Sequence, residues 1–267
     1  MTIVDLETVK LEIDSGVARI VLNRPQALNA WTRQLGEDML SALNKAGGEP
    51  EVRAIVFTGE GRAFSSGADL KAGAGELGTN GKPDVRTRLQ TVYHPLIRGV
   101  RTVPKPVIAA VNGPAVGVGC SLALAADLIV AAESAYFLLA FVNIGLGLDG
   151  GASLTLPARI GHARAFEIAY LGERIAAPQA LEWGLINRLV ADDELDEAVA
   201  ALAQRLASGP PGSYANIKRT INHRLYAQFE DVLDLEAELQ QERAESGDFM
   251  EGVLAFMQKR PANFTGS

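Results

Sequence analysis

The sequence predicts an α/β fold with substantial parallel strand pairing and a helical tail, and three observations predict it. Short β-branched-rich runs, AIVFT at 54–58, VIAAV at 107–111 and LIVAA at 128–132, are bounded by Gly, Pro or charge and read as buried strands. Strands alternate with helical segments, and that alternation is the mark of parallel pairing. Beyond Asp196 the pattern changes. Val199, Leu202 and Leu206, then Val232, Leu235 and Leu239, follow i, i+3, i+7 spacing with polar residues elsewhere, so the last third is mostly amphipathic helix.

In chain order, VKLEI and VARIVL flank Asp14-Ser15-Gly16 and predict a hairpin, since apolar alternation is broken there by a Gly-containing turn. A helix follows from Trp31, because Trp31, Leu35, Met39 and Leu43 recur every four positions, with Asn29 available as N-cap and Gly47-Gly48 as a stop. Residues 71–88, KAGAGELGTNGKPDVRTR, are rich in Gly and charge without periodicity and predict a mobile surface loop or lid. PQALEWG puts Pro178 in the first turn of a helix and Gly184 at its end. SGPPGS at 208–213 separates the α/β body from the tail. The tail packs either on its own body or on another subunit, and periodicity leaves both open.

With 267 residues, 48% of them hydrophobic, the chain can bury one large core or one core and a smaller unit. A net charge of -7 argues against a nucleic-acid partner, because phosphate backbones are bound through clustered Lys and Arg. An anionic ligand must then meet local basic residues. The stretch MTIVDLETVKLEIDSG has acidic residues where a signal peptide carries basic ones and has no apolar h-region. The apolar region 107–132 is interrupted by Asn112, Pro114 and Asp127, too often for a membrane span. A cytoplasmic protein is expected. The single cysteine, Cys120, excludes an internal disulfide framework, and its place in VGVGCSLALAA reads as packing. With three histidines, His94, His162 and His223, no metal-site spacing exists, so no metal is expected.

Three stretches are candidates for chemistry. AFVNIGLGLDGGASL contains GxGxxG at Gly145, Gly147 and Gly150, but Tyr170 stands where a dinucleotide fold needs an acidic residue, and Asp149 would meet the pyrophosphate. AFSSGAD resembles a nucleophile elbow with Ala63 in place of the first glycine, yet nothing places a histidine near Ser65; His94 precedes Pro95 at the edge of a predicted loop. The third reading joins AFSSGADL, after the strand AIVFT, to NGPAVGVGCSLALAAD, after VIAAV. Two backbone N–H groups from such turns, aimed at one point, make an oxyanion hole; alternatively Gly113, Gly117 and Gly119 only permit close packing. Alone, Asp149 would read as a turn residue capping GASLTL.

LNRPQALNA, GRAFSSGADL, KPVIAAVNGPAVGVGCSLALAADLIVAA and LGERIAAPQALEWGLINRLV, in that order and ending with EGVLAFMQKRPANF, together resemble the enoyl-CoA hydratase/isomerase (crotonase) superfamily over nearly the whole chain. The resemblance implies a spiral of repeating ββα units over residues 1–207. It also implies a helical region over 208–267 that serves oligomerisation into a homotrimer or dimer of trimers and contacts to coenzyme A. An acyl-CoA thioester is the implied substrate, with coenzyme A part of it and no separate cofactor. Its enolate oxygen would be held by the backbone N–H groups at Ser66 and Val118. Arg24, the loop Ser66, Gly67, Ala68, Asp69 and Leu70, and Phe256 with Lys259 match coenzyme-binding positions.

The two glutamates of the family's hydratases are replaced here by Ser121 and Phe141, neither of which can act as a base. The segment AFVNIGLGLDGG instead resembles the branch that includes ring-1,2-epoxyphenylacetyl-CoA isomerase of phenylacetate degradation, where the aspartate matching Asp149 is a single acid/base. The implied activity is an isomerase that shifts a double bond or rearranges an epoxide-bearing acyl group. Two alternatives stay open: a hydratase whose water is held by Asp149 alone or with Asn143, and a non-catalytic acyl-CoA-binding protein.

Overall fold

The computed structural model describes residues 1–70, 77–78 and 81–267. The chain starts as a meander: Thr2–Asp5 (β1), Val9–Asp14 (β2) and Val17–Leu22 (β3) are antiparallel. Ser15 and Gly16 link β2 to β3 with φ of 48° and 81°, a pair of positive values that makes the tight turn follow the strands' own twist. The predicted hairpin is present.

From β3 onward one path repeats: a strand in the large sheet, a short extended segment in a second sheet, a helix, and a strand parallel to the last. In the first turn β3 leads to Trp31, which bridges Ala68, and then to Arg33–Gly48 (α1). In the second, Ala54–Gly59 (β4) leads to Ser65, which bridges Ala115, and to Val85–Arg88 (α2), a π-helical turn Leu89–Tyr93, and His94–Thr102 (α3). The third turn is Val107–Val111 (β5), Ala115–Val116 (β6) and Val118–Ala125 (α4). The fourth is Leu128–Ala132 (β7), Tyr136–Leu138 (β8), Ala152–Ile160 (α5) and His162–Leu171 (α6). Ile175–Ala176 (β9), Ala177–Glu182 (α7) and Arg188–Val190 (β10) close the body. The large sheet runs β1-β2-β3-β4-β5-β7-β10, parallel from β3 on, and the second runs β6-β8-β9. This is a spiral of ββα turns.

Every residue of β4 and β5 is buried, which explains why both read as unbroken apolar runs rather than alternating ones. Leu195–Ala207 (α8) lies against β3, β4, β5 and β7, and Val199 and Leu202 are buried there. The tail is Pro211–Leu225 (α9), Phe229–Ala244 (α10) and Gly247–Gln258 (α11). α9 is tied down by a cation: buried Lys218 pairs with Asp127 at 2.8 Å and donates to the carbonyl of Val100 at 2.8 Å. No described helix is long and apolar enough to cross a membrane.

The structure differs from the sequence-based expectations at several points. The cap of α1 is Thr32, whose hydroxyl accepts from the Leu35 N–H at 3.2 Å. Asn29 is buried instead, accepting from the Arg24 N–H at 2.8 Å and donating to the Ala63 carbonyl at 2.8 Å, so its amide ties two loops together. His94 is helical and buried rather than at a loop edge, and desolvation pulls its pKa down to about 4. The break before the tail is shorter than 208–213, because Pro211 already opens α9.

For α10 the structure separates the two packings that periodicity left open. Its inward face is Leu233, Glu236, Ala237, Gln240 and Ala244, while Leu235 and Leu239 are 54% and 49% exposed, so the apolar stripe does not pack on its own body. Of the predicted lid, residues 71–76 and 79–80 lie outside the described residues, and 85–88 form the helical turn α2.

Candidate active site

Successive turns of the spiral bring the loop after β4, the β6–α4 turn, the stretch after β8 and the start of α5 to one cavity of about 480 Å³, closed on one side by α11. Its wall includes Ser66, Gly67, Ala68, Asp69, Leu70, Val118, Asp149 and Phe256, eight of the residues expected in the site. Arg24 and Lys259 stand outside that lining. Arg24 sits behind it, paired through its guanidinium with Asp69 at 3.1 Å and bonded to the Ala30 carbonyl, so it holds the loop's carboxylate in place. Lys259 is the left-handed C-cap of α11, and the adjacent Arg260 reaches the wall in its stead.

The 65–68 loop is shaped by one glycine. Gly67 has φ of 85°, and a β-carbon there would stand 2.9 Å from the Val116 carbonyl oxygen and 3.7 Å from Gly117 Cα. The two turns therefore touch backbone to backbone. Val118 opens α4, so its N–H has no carbonyl of its own helix to bond, and the helix dipole adds positive charge at that end.

Ser66 does not supply the second donor: its N–H is already given to the Leu28 carbonyl at 2.9 Å. In this loop the amide with no acceptor among the described residues is that of Ala68. Trp31 donates to the Gly67 carbonyl at 2.7 Å and accepts from the Asp69 N–H at 3.0 Å, and this parallel bridge turns the Ala68 N–H away. The expectation of Ser66 as an oxyanion donor is thus corrected to Ala68, two residues on, because the bridge to Trp31 decides which amides are spent. Ser65 is excluded as a nucleophile by its own bond, since its buried hydroxyl donates to the Asn29 carbonyl at 2.9 Å.

Asp149 precedes α5 and is 6% exposed. Its Oδ1 is buried without a partner among the described residues, and its Oδ2 accepts from Gln240 Nε2 at 3.4 Å. Burial above all, and then the negative charge of Glu236, push its pKa up from 3.8 to about 8, with the Gln240 bond opposing them. Ser121, at the first missing glutamate, donates its hydroxyl to the Asp149 carbonyl at 2.9 Å and so fixes the backbone beneath the carboxylate. Gly150, with φ of 64°, allows this approach, because a β-carbon there would lie 2.8 Å from that of Ser121. Phe141, at the second missing glutamate, contributes an apolar wall.

Sequence reasoning missed the polar pair that holds this turn. Glu236 accepts from the Gly151 N–H at 2.7 Å, the Ser153 N–H at 3.1 Å and the Ser153 hydroxyl at 2.6 Å, capping α5 from another helix. The signal was present in LEAELQQ, where Glu236 and Gln240 share the i, i+4 face of Leu233 and Ala237. Tyr93 was missed as well. It lines the cavity from the π turn, packs edge-on to Trp31 at 5.0 Å, bonds to Arg88, and is kept protonated by burial with its pKa near 12. Cys120 is buried and raised to about 12, which suits packing and not nucleophilic attack.

The cavity wall thus brings together the amides of Ala68 and Val118, neither bonded to a described residue, and an aspartate with one unpartnered oxygen. The family model for enoyl-CoA hydratase/isomerase matches residues 12–267, and the chain belongs to that family, with the crotonase fold. A "probable enoyl-CoA hydratase" of Rhodobacter capsulatus is 44% identical over 97% of this chain and 98% of its own. The "1,2-epoxyphenylacetyl-CoA isomerase" of Escherichia coli is 38% identical over 98% of this chain and 99% of its own. Among solved structures, an enoyl-CoA hydratase from Mycobacterium avium subsp. paratuberculosis superposes with a TM-score of 0.88 at 36% identity, covering 98% of this chain and 100% of that one.

Proposed function

We propose that the protein is an acyl-CoA isomerase that moves a double bond, or rearranges an epoxide-bearing acyl group, by proton transfer through Asp149. The observation that carries this reading is that, among the described residues, one carboxylate is available: Asp149 lines the cavity with Oδ1 unpartnered, whereas Asp69, the other aspartate in the wall, is paired with Arg24. One carboxylate suffices for a 1,3-shift. It takes a proton from the carbon beside the thioester carbonyl, or from its vinylogous position, leaving the enolate, and returns it two carbons away. The amides of Ala68 and Val118 hold the enolate oxygen, and the apolar wall of Leu138, Phe141 and Leu146 fits an apolar acyl group. The likeness to the Escherichia coli isomerase supports the same reading.

Because the base acts as carboxylate, kcat/KM is expected to rise with pH through about 8. The direct test is deuterium exchange into a 3-enoyl-CoA in heavy water, compared for the wild type and Asp149→Asn. Exchange should fall by about 10²- to 10⁴-fold; undiminished exchange would sink the assignment. The hydratase alternative, supported by the Rhodobacter capsulatus relative, needs water held by Asp149 alone or with Asn143, which lines the cavity and gives one amide hydrogen to the Gly172 carbonyl at 2.9 Å. Crotonyl-CoA hydration faster than isomerisation would favour it.

The same reading includes a homotrimer or dimer of trimers built by residues 208–267. It is supported by outward apolar residues on all three tail helices, among them Ile217, Ile221, Leu235, Leu239, Met250 and Leu254. Light scattering after size exclusion tests it.

A further inference from the structure

The clamp under the active-site turn has a consequence for the chemistry. Gln240 is fully buried, and both ends of its amide are used on one residue: Oε1 accepts from the Gly147 N–H at 3.1 Å and Nε2 donates to the Gly147 carbonyl at 2.8 Å. Gly147 offers one donor and one acceptor there, so the amide satisfies both in a single orientation. That orientation leaves the second Nε2 hydrogen pointing at Asp149 Oδ2, 3.4 Å away. One helical turn earlier, Glu236 grips Gly151 and Ser153 on the other side of Asp149. The carboxylate is thus held at one oxygen by a donor it cannot deprotonate, while the other oxygen has no partner among the described residues and its residue faces the cavity.

Resting on the isomerase reading, we propose that Gln240 and Glu236 are positioning residues that differentiate the two oxygens of Asp149. Gln240 fixes Oδ2, and Oδ1 is the atom that takes and returns the proton. In the forward step the Cα–H or Cγ–H bond breaks, its proton goes to Oδ1, and its electron pair enters the thioester enolate. In the return step that pair forms a C–H bond two carbons away with the same proton, and the free carboxylate is restored. Both groups act through Asp149 and neither touches the acyl chain. The charged and titratable groups facing Asp149 are Glu236 from α10 and Tyr93 from the π turn, and Tyr93 stays protonated until pH reaches about 12.

The test uses two near-isosteric variants that act on Asp149 with opposite sign. Glu236→Gln removes the neighbouring negative charge, so the midpoint of the kcat/KM profile should move to lower pH. Gln240→Glu removes the donor to Oδ2 and adds a second acid beside it, so the midpoint should move to higher pH. In Gln240→Glu, kcat should fall about tenfold or more while KM changes by about twofold or less. Titration of the Asp149 carboxyl in the free enzyme, by infrared difference spectroscopy against Asp149→Asn, should show the same two shifts without any turnover. A loosened turn alone would lower activity at every pH and leave both midpoints in place. Unmoved midpoints, or shifts in one common direction, in protein that still melts cooperatively would overturn the proposal. If instead Asp149→Asn keeps full exchange while the carboxyl titration shifts as stated, it is the isomerase reading that fails, and the role of Oδ1 falls with it.

Discussion

Two glycine-rich turns meet at the cavity, and they work in opposite ways. In the β6–α4 turn, around Gly117, the proposed role falls to the backbone: Val118 presents an amide because a helix begins there. In the turn before α5, the proposed role falls to a side chain that the turn itself does not control. Asp149 owes its position to Ser121 on α4 and to Gln240 on α10, and its raised pKa to burial and Glu236. The Val118 amide is freed by its own neighbours in sequence. The Asp149 side chain is placed and tuned by residues from 28 to 91 positions away.

The first experiment acts on the loop after β4, which packs against the backbone turn. Gly67→Ala would drive a β-carbon to within 2.9 Å of the Val116 carbonyl and shift the Ala68 amide. Loss of that donor should lower kcat by roughly 10²- to 10³-fold. A smaller change, with coenzyme A esters still bound, would remove Ala68 from the oxyanion site.

The second test concerns stability and the side-chain turn. Folded Asp149 keeps its proton across the window from 3.8 to about 8, in which the unfolded chain has released it. The folded state therefore binds more protons there, and its stability falls as pH rises through that window. Asp149→Asn lacks this term, so its melting temperature should exceed the wild type's by a margin that widens up to about pH 8. A constant margin would contradict the buried, protonated state. The smallest effect is expected from Ser66→Ala, which keeps the backbone bond to Leu28 and removes only a 3.4 Å hydroxyl bond to the Ala27 carbonyl. Activity should stay within about twofold, consistent with a change of about 0.5 kcal/mol or less; a larger loss would return Ser66 to the site.

Much of the body was legible because its signals are local. The β2–β3 hairpin, the buried strands AIVFT, VIAAV and LIVAA, and Pro178 and Gly184 at the ends of α7 all follow from residues near in sequence. Asn29 misled because a residue with good capping chemistry was used to tie loops, while Thr32 took the cap. In α10 periodicity located an apolar stripe, with Leu235 and Leu239, but not which way it faces: it points outward, and a carboxylate and an amide face in. Hydrophobic periodicity marks a face and does not say what covers it, and a helix that serves a polar turn can bury its other side.

By itself the sequence determined the α/β alternation, the helical tail, the order of the motifs and the presence of Asp149 where positions 121 and 141 carry no acid. Only the tertiary structure decided which amides are free, which oxygen of Asp149 is unpartnered, and that Arg24 and Lys259 stand behind or beside the cavity and not in its wall. The physical reason is that secondary structure and chemical type are properties of neighbouring residues. The freedom of a donor and the ionisation of a buried carboxylate depend on what the rest of the chain has already bonded or excluded from water.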